Sequence, residues 1–147
     1  MLIHSLSRIA VALVVFAAGV ACGLWLRSVP TLHAQAGGRV FEIRTYTAPE
    51  GKLGALDSRF RDHTLKIFEK HGMKSVGYWH PQDAPLSQNT LIYILAHPSR
   101  EAASKNWKEF QADPEWQKVR AESEANGRLT TKVESVFADP TDYSPMK

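Results

Sequence analysis

From Arg39 to Tyr46 the chain alternates strictly. Phe41, Ile43 and Thr45 fall on one side, and Val40, Glu42, Arg44 and Tyr46 on the other. Period-two patterning predicts a β-strand covered differently on its two faces. The apolar side is expected to lie under a helix, leaving the other side as a polar row of carboxylate, guanidinium and phenol. The period then changes. Leu53, Leu56, Phe60, Thr64 and Ile67 recur at helical spacing, with Arg59, Arg61, Asp62, Lys66, Glu69 and Lys70 on the remaining faces. Pro49 suits the first turn of this helix, and His71-Gly72 ends it.

Met73–His80 predicts a second strand, in which Gly77 marks a bulge or a close approach to the backbone. A loop containing Pro81 and Pro85 follows. Thr90–His97 is apolar on both faces and is expected in mid-sheet, paired with the second strand as a hairpin. Ser99 caps a second helix, whose inner face carries Ala103, Trp107 and Phe110. Asp113-Pro114-Glu115 starts another, with Trp116 and Val119 inward. Thr130–Ala138 predicts the last strand, and 141–147 is a polar tail.

Strand, helix, strand, strand, helix, strand is the ferredoxin-like βαββαβ order. It predicts an α+β fold with a four-stranded antiparallel sheet and helices on one face. The bare sheet face then carries apolar side chains that water would not tolerate, so a homodimer joined sheet to sheet is expected.

The amino-terminal pattern is of another kind. Ile9–Leu26 is an uncharged apolar run of 18 residues between Arg8 and Arg27, followed by an Ala-x-Ala stretch ending at Ala36. Residues 1–36 read as a signal peptide cut after Ala36, or as an uncleaved anchor spanning the bilayer through residues 9–26. Lipidation of Cys22 is a third route. Each exports the 37–140 domain to a periplasmic or extracellular location. Cys22 is the sole cysteine, so the domain itself has no thiol, which suits an oxidising compartment. The formal charge of +3 falls to sixteen basic against fifteen acidic residues once 1–36 are set aside. The signs are interspersed, which argues against nucleic-acid binding.

Candidate chemistry centres on Arg44, Tyr46 and His63. The first two sit two apart on a strand face, where a guanidinium and a phenol can hold a carboxylate or enolate. His63 lies beside the buried helical stripe and can serve as a base. Against this stand blander readings: an Arg44–Glu42 pair, and a core histidine. His80 and His97 flank the hairpin, but a third metal ligand is missing, so no metal is expected. Tyr78, Trp79, Trp107, Phe110 and Trp116 are core aromatics or the walls of a pocket for a flat apolar ligand. No nucleophile elbow, phosphate loop or zinc-protease motif is present, and no cofactor signature.

The strand Phe41-Glu42-Ile43-Arg44-Thr45-Tyr46 belongs with four further motifs: Phe60-Arg61-Asp62-His63-Thr64, His71-Gly72-Met73, Val76-Gly77-Tyr78-Trp79, and the block from Trp107 to Trp116 with Phe110 and Asp113-Pro114 inside it. Together these resemble the NIPSNAP family over residues 39–140. The resemblance implies a dimeric α+β barrel and no settled activity. The wider barrel superfamily includes cofactor-free monooxygenases and haem binders. Three readings stay open: a homodimeric module for a small apolar ligand, a cofactor-independent monooxygenase or isomerase using Arg44, Tyr46 and His63, or an interaction domain without catalysis.

Overall fold

The computed structural model describes residues 39–147, so the expected export segment lies outside the described residues. Strand β1 is Val40–Thr47. Helix α1 covers residues 53–70: it is α-helical over Leu53–Arg59, widens to a π turn at Phe60–Thr64, and returns to α over Leu65–Lys70. Then come β2 (Lys74–Trp79), a 3-10 turn (Leu86–Gln88), β3 (Thr90–His97), α2 (Arg100–Ala112), α3 (Pro114–Ser123) and β4 (Lys132–Ala138). The sheet order is β2-β3-β1-β4 with every pair antiparallel, the ferredoxin-like plan, and apolar β3 is an inner strand as expected.

Local signals set most boundaries. The Ser99 and Asp113 side chains accept from the amides of Ala102 and Glu115, capping α2 and α3. Gly72, at φ +68°, ends α1 in the left-handed region. Pro49 does not open α1. Its carbonyl accepts from the Lys52 amide in a tight turn, and the helix begins at Leu53. The bulge falls between Ser75 and Gly77. A Cβ on Gly77 would sit 2.6 Å from the Trp79 indole, so the missing side chain is what lets that ring fold back over the strand.

The core lies between the helices and one face of the sheet. It joins Leu56, Phe60, Ile67 and Phe68 of α1 and Phe110 and Val119 of α2 and α3 to Leu91, Tyr93 and Leu95 of β3. Burial of each large side chain stabilises by roughly 1.5–3 kcal/mol, so packing rather than propensity holds these short helices in place.

The two faces of β1 are the reverse of the sequence expectation. Glu42, Arg44 and Tyr46 face the helices, where Trp107 and Phe60 meet them. Ile43, paired with Ile94 and Val136, lies on the face without helices. A row of charge can enter the core because its members satisfy one another, as described below. The open face carries Ile43, Val136 and Trp79, of which Val136 is 60% and Trp79 49% exposed. Tyr78 turns inward and stacks on Tyr93. Among the described residues no helix is long and apolar enough to cross a membrane.

Candidate functional site

Glu42 is 1% exposed, and four donors converge on its carboxylate. Oε1 accepts from Arg44 Nη1 at 2.6 Å and from Ser135 Oγ at 2.7 Å. Oε2 accepts from Trp107 Nε1 at 2.6 Å and from His97 Nε2 at 3.1 Å. Register explains the convergence: Ser135 lies beside Arg44 across β1–β4, His97 ends β3, and Trp107 reaches down from α2. Burial alone would push this carboxyl up. The hydrogen bonds from His97, Trp107, Ser135 and Arg44 outweigh burial and hold it at about 2. With every acceptor position filled, Glu42 is an anchor and has no lone pair left for proton abstraction.

What Glu42 anchors is Arg44. The guanidinium lies 4.1 Å from the Trp107 ring centroid, and Nη2 donates to the Tyr46 hydroxyl at 3.3 Å. Its Nε is buried without an acceptor. Arg44 and Tyr46 open onto a cavity of about 510 Å³ between the helices and the β1–β4 side of the sheet. Phe60, Phe68, Trp107, Phe110 and Trp116 supply rings to its lining, and Arg59, Arg120 and Glu124 supply charge. Of the residues proposed from sequence, Arg44, Tyr46, Trp107, Phe110 and Trp116 therefore share one cavity.

His63, Tyr78 and Trp79 do not line it. His63 is exposed and lines a shallower hollow with Val119 and Ser123, because Thr64 takes the inward position and donates to the Arg59 carbonyl across the widened turn. Tyr78 and Trp79 border a separate cavity at the β2 edge. His80 and His97 are not neighbours. His97 is buried on Glu42, whereas His80 follows Trp79, whose partner across β2–β3 is Ile92, near the other end of the hairpin. Among the described residues no cluster of three or more His, Cys, Asp or Glu is placed to hold a metal.

Arg59, expected on a solvent face, is instead 5% exposed and paired with Glu124 at 3.0 Å. Arg59 stands three after Leu56 and one before Phe60, so the plain helical period already places it beside the buried stripe, and only its charge argued for solvent. His71 does more than end α1. Its Nε2 and the Lys70 ammonium both meet Asp113 Oδ2, at 2.7 and 2.8 Å, tying α1 to the α2–α3 junction. Lys70 first, then His71, hold the Asp113 carboxyl well below its ordinary value. Ser135, Glu124 and Arg120 carried no local sequence signal; only the folded register brings them to the site.

Comparison with known proteins agrees with this architecture. The NIPSNAP family model matches residues 41–145. A NIPSNAP family protein of unknown function from Agrobacterium tumefaciens superposes with a TM-score of 0.66 at 24% identity, covering 76% of this chain and 96% of that one. An uncharacterized NIPSNAP-like domain protein from Burkholderia xenovorans gives 0.65 at 18% identity, over 74% of this chain and 90% of that one. A second Agrobacterium tumefaciens family member gives 0.65 at 22%, over 74% and 99%. No curated protein matches the chain. With the model spanning 41–145 and the βαββαβ sheet in place, the chain belongs to the NIPSNAP family.

Proposed function

We propose that this domain is an exported, homodimeric binding module for a small flat molecule, mainly apolar, with one anionic group. The observation that carries the reading is the cavity of about 510 Å³, in which Arg44 lies among aromatic rings. Three guanidiniums line it against Glu124, with Glu42 behind Arg44, which leaves one positive charge in excess. A carboxylate or enolate meeting Arg44 and the Tyr46 hydroxyl would use that charge, and the rings would cover the apolar body. Binding is favoured over turnover here. Glu42 is saturated and His63 lies elsewhere, so among the described residues this cavity has no free base. The dimer reading rests on Ile43, Val136 and Trp79, which a second copy of the sheet would remove from water. Export rests on the apolar run Ile9–Leu26.

Benzoate and benzyl alcohol share a ring and differ in charge, so they make a suitable pair of probes. Trp107 and Trp116 fluorescence reports occupancy. Benzoate should quench saturably and benzyl alcohol should not. Arg44→Gln should weaken benzoate by about tenfold, the scale of a lost charge-assisted hydrogen bond. Tyr46→Phe, which leaves the Glu42 anchor intact, should weaken it less. Equal response to the two probes, or none, would end the reading. Native mass spectrometry of the mature protein tests the dimer: Val136→Lys should yield monomer, and a monomeric parent protein would refute the assembly.

A further inference from the structure

The smaller cavity at the β2 edge differs in chemistry from the larger one. It measures about 290 Å³ and has Phe60, Leu65, Tyr78 and Leu91 among its walls. A cavity of about 150 Å³ is enough for benzene, so a substituted ring fits here. Three polar side chains also line it: Asp57 and Arg61 from α1, and His80 just past β2.

Their pairing is unexpected. Asp57 and Arg61 are four apart on one helix and would ordinarily form an ion pair. Instead the Asp57 carboxylate takes His80 Nε2 at 3.0 Å, and Arg61 enters no ion pair among the described residues. That bond fixes the tautomer. With its proton on Nε2 facing Asp57, His80 presents the Nδ1 lone pair, which accepts no hydrogen bond among the described residues. A base and a cation with no ion-pair partner among the described residues thus line one apolar-walled cavity. Among the described residues that line the larger cavity the acids are engaged and no imidazole is present.

We propose that the β2-edge cavity is a second ligand site, which takes a planar, weakly acidic molecule of the phenol or enol class and receives its proton on His80. The ligand O–H bond breaks and its electron pair stays on oxygen. The proton bonds to Nδ1, the resulting imidazolium lies against Asp57, and the ligand oxyanion lies against Arg61. The site is independent of the carboxylate reading of the larger cavity.

4-Nitrophenol tests this directly, because its anion absorbs where the neutral phenol does not. The native assembly is titrated at a pH below the phenol's own pKa. A saturable phenolate band should appear. It should vanish in His80→Gln, fall sharply in Asp57→Asn, and need about tenfold more ligand in Arg61→Gln. His80 and Asp57 are both partly solvent-exposed, so these variants keep the fold, which circular dichroism verifies. No band in the parent protein overturns the proposal, as does a band that persists in His80→Gln. A band lost in Arg44→Gln but kept in His80→Gln would place the phenol in the larger cavity and overturn it equally.

Discussion

Two carboxylate–imidazole pairs in this domain have nearly the same length and opposite uses. Glu42 accepts from His97 Nε2 at 3.1 Å, and Asp57 from His80 Nε2 at 3.0 Å. The first pair is sealed, with side chains 2% and 0% exposed; in the second they are 23% and 41% exposed. The decisive difference is saturation. Glu42 collects four donors from β1, β3, β4 and α2, so it joins those elements and spares nothing for a ligand. Among the described residues Asp57 has His80 as its single side-chain partner, and the pair borders open space. Distance alone would class the two together. Counting filled lone pairs separates a structural pin from a reactive group.

The sharpest way to break the comparison is to neutralise the pin. Glu42→Gln keeps the shape but puts an amide NH₂ where two donors already point, either Trp107 and His97 or Arg44 and Ser135. It also leaves the Arg44 cation uncompensated in the core. Removing one partner of a buried ion pair costs about 3–5 kcal/mol, and urea denaturation should show a loss of that size. Acid should do the same more gradually. The Glu42 carboxyl is depressed from 4.5 to about 2 on folding, so its stabilisation is complete above 4.5 and is lost as pH falls towards 2. A shift of that size corresponds to about 3 kcal/mol. Urea midpoints of the parent protein should drop across this window, and those of Glu42→Gln should drop less. Trp107→Phe comes next. It removes one donor to a charged group and weakens the stack under Arg44, costing about 1.5–3 kcal/mol, with benzoate affinity falling alongside.

Periodicity and caps made the fold legible. Ser99, Asp113 and Gly72 mark element ends through local chemistry, and the order of elements then leaves few topologies. The facing of β1 was not legible, because alternation states which residues share a face and not which face is covered. The apolar-inward rule chose Phe41 and Ile43, while partners up to 93 residues away made the charged row the inner one. The same limit applies to the site. Arg44, Tyr46, Trp107, Phe110 and Trp116 were accessible because each stands on a patterned element. Arg59 was hidden by its charge, although it stands three after Leu56 at helical spacing, and His63 was misplaced by the π turn that follows. Asp57–His80 joins a helix to the end of a strand, a contact that no local spacing encodes.

The gentlest change sharpens the comparison from the other side. Asp57→Asn removes the charge of a pair that has the length of Glu42–His97 and leaves only a neutral acceptor, so a purely geometric view expects a similar penalty. Solvent argues otherwise. Both side chains can rehydrate where they stand, and exposed ion pairs contribute about 0–1 kcal/mol. Arg61, which has no ion-pair partner among the described residues, gains no new strain. The variant should therefore unfold within about 1 kcal/mol of the parent in urea, while Glu42→Gln falls several-fold further. Its effect should surface instead in the imidazole itself. Without a carboxylate beside Nε2, the preference for the Nε2–H tautomer weakens, and the ¹⁵N shifts of the His80 ring report that directly. A stability loss matching that of Glu42→Gln would mean the outer pair is a second pin, and the division between the two carboxylates would fail.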